Sequence, residues 1–161
     1  MKIETQKQDS WLQNLVGEWT YEAQDLSTSD KPAEPVRGVE TVRPLGGIWM
    51  LFEGRGDIPG AGTGTSLMTL GYDPEKGGYV GTWVGSMMSN LWVYERGTLD
   101  AAKKVLTLDC EGPSFTGDGK TSKYRDFMEV LDADRRVLAS EVLGSDGKWT
   151  RFMISNYRRR K

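Results

Sequence analysis

Soft and aromatic side chains are concentrated around one predicted hairpin connection. They are Trp83, Met87, Met88, Trp92 and Tyr94. Methionine is polarizable and adaptable, and tryptophan combines a large apolar area with one hydrogen-bond donor, so this set could line a pocket for an apolar ligand. The same residues could instead fill the interior of a small barrel. For Trp83 the filled interior is the better interpretation. Met87 and Met88 lie in the connection, and for them the ligand pocket and the filled interior fit equally well.

A second group of candidate residues lies in the predicted strand 124–129. Alternation along a strand separates Arg125 from Asp126, so only one of the two can face inward. An inward Arg125 could bind a ligand carboxylate with two hydrogen bonds. The commoner arrangement is an outward arginine on a solvated face, because lone charges are rarely buried. A buried Arg125 would need a partner, for which Glu95 and Glu141 are candidates.

Histidine is absent from the 161-residue chain. Its absence excludes Ser-His-Asp and Cys-His nucleophile activation, histidine-ligated metal sites and haem bound through a proximal histidine. Acid–base chemistry would have to use Asp, Glu, Lys or Tyr side chains. Cys110, the only cysteine, has no evident base to activate it and is predicted to be inert. We therefore predict no metal, no cofactor and no catalytic residues.

The composition is that of an ordinary soluble domain. A net charge of −2 gives no electrostatic reason to bind nucleic acid or an anionic membrane. The basic run 158–161 is interpreted as the solvated end of a strand. No stretch approaches the roughly 18 apolar residues of a membrane span, and a single cysteine fits a reducing compartment. We expect a cytoplasmic protein that binds neither nucleic acid nor membrane.

The elements that would position these residues are almost all strands. Residues 9–16 predict one or two helical turns, ended by Gly17. From Trp19 onward, apolar and polar residues alternate with the period of a strand. The predicted strands are 19–23, 36–43, 48–55, 66–72, 79–84, 91–98, 105–110, 122–131, 136–143 and 149–158. About ten strands with short turns favour an antiparallel up-and-down barrel, since closure removes exposed edges.

Two longer connections interrupt this pattern, at residues 56–65 and 111–121. Both are rich in glycine, with one proline each, and either could flank an opening. Residues 27–35, rich in serine, proline and charge, predict an exposed loop. No internal repeat and no domain boundary is evident, so residues 1–161 are predicted to form a single domain.

Several of these segments resemble the bacterial family known as domain of unknown function 1579, over nearly the whole chain. The similarity lies in Leu15-Val16-Gly17-Glu18-Trp19, Pro44-Leu45-Gly46-Gly47-Ile48-Trp49, Gly71-Tyr72-Asp73, Tyr79-Val80-Gly81-Thr82-Trp83, Ser86-Met87, Glu95-Arg96-Gly97-Thr98 and Tyr157-Arg158-Arg159. The resemblance implies a lipocalin-like, or calycin-like, barrel. It implies no established activity.

The resemblance also implies how one end of the barrel closes. In calycins the tryptophan of a Gly-x-Trp motif packs beneath an arginine from the last strand, beside the N-terminal helical turn. Carried over to this chain, the tryptophan is Trp19 and the arginine is Arg159, with Arg158 as the alternative. Alternation allows only one of the two arginines this position. The haem of the related nitrobindin-like barrels cannot be carried over, because it is held through a histidine.

These observations predict an all-β fold, a lipocalin-like barrel with a short N-terminal helix closing one end. The predicted function is binding of a small, largely apolar molecule in the barrel or at its mouth. One alternative is a structural or interaction protein with a filled barrel, as a homodimer. Another is an enzyme that uses carboxylate, tyrosine or lysine groups. A cavity of a few hundred cubic ångström would favour binding. A carboxylate of raised pKa beside it would favour the enzyme.

Overall fold

Ten antiparallel strands form a closed barrel in up-and-down order. The computed structural model describes residues 7–27, 30–31 and 33–161. The elements are α1 (Lys7–Gln13), β1 (Gly17–Asp25), β2 (Val36–Leu45), β3 (Trp49–Ile58), β4 (Gly62–Asp73), β5 (Gly78–Gly85), β6 (Trp92–Leu99), β7 (Val105–Pro113), β8 (Thr121–Asp132), β9 (Arg135–Leu143) and β10 (Trp149–Arg159). Strand β1 pairs with both β2 and β10, which closes the barrel. The predicted fold class is therefore confirmed, and it is consistent with a lipocalin-like barrel.

Alternation along each strand gives the barrel an inner and an outer face. In β1, Trp19, Tyr21 and Ala23 face inward, and the residues between them are exposed. Tyr21 is the cross-strand partner of Tyr157 on β10, with ring centroids 5.3 Å apart. Aromatic cross-strand pairs of this kind stabilise a sheet and fix its register. The hydrophobic pattern therefore determines which side chains form the interior.

Helix α1 covers one end of the barrel. It packs against β3 and β4, and its Leu12 side chain is buried. The Tyr79 hydroxyl donates a hydrogen bond of 3.0 Å to the Gln8 carbonyl, and the Trp11 indole N–H donates one of 2.8 Å to the Lys103 carbonyl. These bonds join the helix to β5 and to the turn between β6 and β7. We call this end of the barrel the closed end.

Trp19 and Arg159 lie together at the closed end. They are cross-strand partners, and the guanidinium carbon of Arg159 lies 4.3 Å from the centroid of the Trp19 ring. The guanidinium also donates hydrogen bonds to the carbonyls of Asn14, at 2.9 Å, and Val16, at 2.5 Å. The structure places Arg159 rather than Arg158 here, because Arg158 is on the exposed outer face of β10. One side chain thus holds the helical turn, the first strand and the last strand together.

The helix ends earlier than the sequence predicted. The expected helix over residues 9–16 is found at Lys7–Gln13, and the amides of residues 14–16 donate to carbonyls three positions back. Such tighter turns are common at helix ends. Gly17 then begins β1 with φ of +140°, and a side chain there would collide with the Arg159 guanidinium. The glycine is therefore required both for its backbone conformation and for close packing.

The glycine-rich segment 56–65, predicted to be a long connection, is mostly strand. Strand β3 continues to Ile58 and β4 begins at Gly62, so only three residues connect them. A Cβ atom at Gly56 would lie 2.4 Å from the hydroxyl oxygen of Tyr21. Glycine in a strand often marks such a close approach. The prediction was wrong because this glycine makes room for an aromatic side chain inside the barrel, and does not form a loop.

The second predicted connection, 111–121, is shorter than expected. Strand β7 extends to Pro113 and β8 begins at Thr121, which leaves residues 114–120 between them. The predicted loop 27–35 includes residues 28, 29 and 32, which lie outside the described part of the chain. Among the described residues, no helix has the length and apolar character needed to cross a membrane.

Candidate functional site

A cavity of about 540 Å³ lies in the half of the barrel away from the closed end. Its position follows from the course of β1, which starts beside Trp19 at the closed end. The last residue of β1, Asp25, lines the cavity, as does Ile58 at the end of β3. The mouth therefore lies at the end opposite α1. This half of the barrel is hollow and is not filled by side chains.

Four aromatic side chains surround the mouth, and we call them the mouth collar. They are Trp92, Phe115, Tyr124 and Phe152. The ring centroids of Trp92 and Tyr124 are 4.9 Å apart, and so are those of Phe115 and Phe152. Both pairs are nearly perpendicular, the favourable edge-to-face arrangement. The collar gives the opening an apolar edge.

The connection between β5 and β6 brings two methionines to this mouth. Met87 and Met88 are 49% and 45% exposed, and both line the cavity. The Ser86 amide donates to the Thr65 carbonyl at 2.8 Å, and the Thr65 amide donates to the Ser86 hydroxyl at 2.9 Å. The Trp92 indole N–H contacts the Met88 sulfur at 3.2 Å. The connection is therefore held against β4 while its soft side chains face the opening.

A half-buried carboxyl group lies deeper in the cavity wall. Asp126, on β8, accepts a hydrogen bond of 2.5 Å from the Tyr94 hydroxyl of β6. Its other oxygen accepts one of 2.6 Å from the Ser140 hydroxyl of β9. Cys110 of β7 lines the cavity beside them. Four neighbouring strands thus converge on a single acid, and we call these four residues the Asp126 network.

Burial controls the protonation of the Asp126 network. It raises the pKa of Asp126, and the hydrogen bonds from Ser140 and Tyr94 offset that rise only in part. Burial, with Asp126 nearby, raises the pKa of Tyr94 well above its ordinary value and that of Cys110 to about 12. Tyr94 and Cys110 therefore stay protonated at neutral pH. Asp126 is the member of the network that changes charge at the lowest pH.

An ion pair lies between this network and the closed end. Arg136 is 1% exposed, and its guanidinium is hydrogen-bonded to the Glu40 carboxylate. The guanidinium carbon lies 3.8 Å from the Tyr157 ring centroid and 4.7 Å from that of Trp19. Among the described residues, nothing accepts a hydrogen bond from the Arg136 Nε. The pair is neutral as a whole and belongs to the packed interior beneath the cavity.

Five of the six predicted ligand-binding residues line this one cavity. They are Trp83, Met87, Met88, Trp92 and Tyr94. The two methionines lie at the mouth, whereas the Tyr94 hydroxyl reaches the interior carboxyl group. Residues on two paired strands and on the connection between them therefore share one site.

Arg125 does not line the cavity, so the inward side chain on which its predicted role as a carboxylate anchor depended is not found, and the commoner outward arrangement is. Its side chain lies on the outer face of β8 and contacts Glu141 at 2.7 Å. Its guanidinium carbon lies 4.0 Å from the Trp149 ring centroid and 5.1 Å from that of Phe127. The physical reason is alternation, because Asp126 faces inward and so directs its neighbour outward.

The sequence prediction did not identify the charged groups of the interior. Alternation separated Asp126 from Arg125, but both faces of the strand carry charged and apolar residues, so the inner face could not be chosen. Glu40 and Arg136 are 96 residues apart in the chain, and neither stands in a local motif. A buried ion pair between distant strands leaves no signal in the spacing of either residue.

Few of the described residues that line the cavity carry a charge. They are Asp25, Glu40, Asp126 and Arg136. The described residues contain no group of three or more His, Cys, Asp or Glu side chains arranged to hold a metal ion. The chemistry that this arrangement offers is an apolar chamber with one titratable carboxyl group in its wall.

Solved structures with similar folds are also β-barrels. Rv2717c from M. tuberculosis is 11% identical with a TM-score of 0.65, and the match covers 98% of this chain and 100% of that one. The S-type phycobiliprotein lyase CPES from Guillardia theta is 13% identical with a TM-score of 0.61, covering 97% and 94%. A de novo designed fluorescence-activating β-barrel is 13% identical with a TM-score of 0.50, covering 92% and 96%. At these identities the likeness is one of fold alone.

No curated protein matches the chain. A family model described as "protein of unknown function (DUF1579)" matches residues 4–159. The matched range includes both the closed end and the residues of the cavity. The chain therefore belongs to the DUF1579 family, whose function is unknown and whose fold, in this member, is a closed ten-stranded β-barrel.

Proposed function

We propose that the protein binds a small, largely apolar molecule in the open half of its barrel. The observation that carries this proposal is the cavity of about 540 Å³. Ligand pockets are typically about 300–1,000 Å³ in volume, with mostly apolar walls and a few polar groups. The mouth collar and the two exposed methionines supply such walls, and the Asp126 network supplies the polar groups.

Apolar side chains around the mouth support binding over a purely structural role. Met87, Met88 and Phe115 are 49%, 45% and 64% exposed, although burial of each would stabilise the fold. Exposed apolar groups gathered at one opening are typical of binding sites, whereas scattered ones are not. A protein that needed only a stable barrel would gain by filling the cavity.

A second candidate function, acid–base catalysis, is favoured by one observation. Asp126 combines a raised pKa with a position in the cavity wall, and such carboxyl groups are typical of general acids and bases. A catalytic Asp126 predicts that Asp126→Asn retains unreacted substrate. The molecule carried by the variant would then differ in mass from the one carried by the wild type. Identical bound masses would remove this candidate.

Native mass spectrometry of freshly purified protein tests the binding proposal directly. We expect a peak shifted by the mass of one small molecule, which is lost on denaturation. The same spectrum gives the number of subunits and so tests the predicted homodimer. If the protein is purified empty, titration with an added probe decides the question.

Titration with Nile red, an uncharged apolar dye, tests the cavity itself. Ala23→Trp places a large side chain in the cavity, and we expect it to weaken dye binding about tenfold or more. Thr20→Trp is the matched control, since Thr20 lies on the exposed outer face of the same strand. Binding unaffected by Ala23→Trp, or absent from the wild type, would contradict the proposed function.

A further inference from the structure

Among the residues that the structure describes, the charges that line the cavity are mostly negative. Three carboxylates, Asp25, Glu40 and Asp126, face one guanidinium, that of Arg136. Glu40 and Arg136 are paired with each other and so cancel. Asp25 lies at the mouth, where it accepts hydrogen bonds from the amide and hydroxyl of Ser27. One interior carboxyl group, that of Asp126, is left without an opposite charge.

The groups that surround Asp126 supply hydrogen bonds but no positive charge. Tyr94 faces it from β6, Cys110 from β7 and Ser140 from β9. In the described part of the chain, no lysine or arginine forms an ion pair with it. Its neighbour Arg125 lies on the outer face and is paired with Glu141. An ionised Asp126 is therefore a half-buried anion that faces a largely apolar cavity and has no counterion among the described residues, which is unfavourable until a cation joins it.

The walls around Asp126 suit a particular kind of cation. Trp83, Trp92, Tyr94 and Tyr124 present aromatic side chains to the cavity, and aromatic faces attract cations. Methionine thioethers at the mouth add polarizable contacts. A small hydrated metal ion would find too few carboxylates here, and a strongly hydrated ammonium would lose its water without replacement. A cation with its charge spread over an apolar framework fits both the carboxylate and the walls.

We propose that the ligand is an apolar organic cation, such as an aromatic or alkylated amine, whose charge is paired with Asp126 inside the cavity. This inference rests on the proposed binding function and specifies its ligand class. An anionic ligand is disfavoured by the described residues that line the cavity, because carboxylates outnumber guanidinium groups there and the interior guanidinium is already paired. An uncharged ligand would leave the Asp126 carboxylate uncompensated.

The pair of charges makes binding depend on pH. A cation binds the ionised form of Asp126, whose pKa is raised by burial in the empty protein. The affinity for a cation therefore increases as the pH rises through that pKa. An uncharged ligand that accepts a hydrogen bond from the protonated carboxyl group would show the opposite dependence.

Thioflavin T and its uncharged benzothiazole analogue, which lacks the ring N-methyl group, provide a matched pair of probes. Both are planar, apolar and fluorescent, and they differ in one methyl group and its charge. At pH 8 we expect the wild type to bind thioflavin T about tenfold more tightly than the analogue. Asp126→Asn should abolish this preference and leave the affinity for the uncharged analogue unchanged. Asp109→Asn, the same change on the exposed face of the neighbouring strand, should leave the preference intact.

Each outcome separates this inference from the proposed function. Equal or tighter binding of the analogue by the wild type would overturn the cation proposal and leave apolar binding standing. If neither probe nor Nile red binds, the cation proposal and the proposed binding function are both overturned. The pH profile of the wild type is a second test, which does not depend on the folding of Asp126→Asn. Thioflavin T affinity that stays constant or falls between about pH 4 and pH 8 would also overturn the proposal.

Discussion

At the residue scale, the distinctive group is a carboxyl held inside the barrel by two hydroxyl donors. Tyr94 and Ser140 satisfy one lone pair on each oxygen of Asp126. Their hydrogen bonds lower its pKa, but desolvation raises it by more. The ionised form of Asp126 is therefore unfavourable in the empty cavity, and protonation or a bound cation would neutralise it. An apolar residue of similar size would stabilise the barrel better, and this supports the proposal that the carboxyl group serves binding.

The first prediction concerns this charge and the stability of the fold. A carboxyl whose folded pKa is raised stabilises the protein fully below its unfolded pKa, about 3.9, and that contribution is lost as the pH rises through the folded value. Asp126→Asn removes the titration and keeps the shape. Its free energy of unfolding relative to wild type should therefore increase from about pH 4 upward, by about 1.4 kcal/mol for each unit of raised pKa.

Urea denaturation at a series of pH values measures this difference. Asp109→Asn serves as the control, because the exposed Asp109 should give a difference that is nearly independent of pH. A constant difference between Asp126→Asn and wild type across about pH 4–8 would show that burial does not perturb this carboxyl group.

The second prediction concerns the thiol of the same network. Burial raises the pKa of Cys110 to about 12, so almost none of it is thiolate at pH 8. Since the thiolate is the nucleophile, alkylation by iodoacetamide should be at least about a hundredfold slower than for a free cysteine. Mass spectrometry over time gives the rate, and denatured protein gives the reference. Alkylation at the reference rate would contradict the raised pKa of Cys110.

At the scale of elements, the two ends of the barrel differ in packing. The closed end combines helix α1, the Gly17 turn and the Trp19–Arg159 contact into a packed seal. The opposite end is formed by the connections that follow the odd-numbered strands, and apolar side chains at its mouth remain exposed. Strand order makes this division possible, because successive hairpins of an up-and-down barrel alternate between its two ends.

The third prediction tests the seal. Trp19 is 1% exposed, and its indole N–H donates to the Leu15 carbonyl at 2.9 Å. Trp19→Ala should lower the free energy of unfolding by about 3–5 kcal/mol, as for other large buried aromatic residues. Trp49→Ala is a suitable control. Trp49 is 36% exposed, so its replacement should lower the free energy of unfolding by less. Similar losses in the two variants would argue against a packed closed end.

The fourth prediction tests the ion pair that joins β2 to β9. Removing one partner, by Glu40→Gln, leaves the Arg136 guanidinium buried without a counterion and should destabilise by about 3–5 kcal/mol. Replacing both, by Glu40→Leu with Arg136→Met, should cost less than the single change, because no charge is left buried. The urea denaturation midpoints of the wild type, Glu40→Gln and the double variant measure these differences in stability. A double variant less stable than Glu40→Gln would show that the pair does more than neutralise itself.

At the scale of the whole molecule, the barrel is packed at the end covered by α1 and open at the opposite end. Ten strands enclose more volume than their side chains fill, and the unfilled part is confined to the half away from α1. The packed half supplies stability and so allows the other half to keep a cavity. Binding of a ligand in that cavity should raise the stability of the fold in proportion to its affinity and concentration.

Much of this architecture could be predicted from the sequence. Strand alternation and turn residues act between near neighbours, so they indicate the number of strands and their up-and-down order. The prediction for segment 56–65 was wrong because Gly56 makes room for Tyr21, which lies far away in the chain on β1. The cluster from Trp83 to Tyr94 was found because its soft and aromatic residues are close together in the chain.

The closed end could be predicted from the sequence alone, through Gly17, Trp19 and the basic residues of the last strand. That Asp126, and not Arg125, faces the interior is known only from the folded barrel. Alternation relates neighbours on a strand but does not say which face is inside when both carry charges. The pairing of Glu40 with Arg136, and the volume of the cavity, depend on all ten strands closing together. These are properties of the closed barrel, which no single segment of the chain contains.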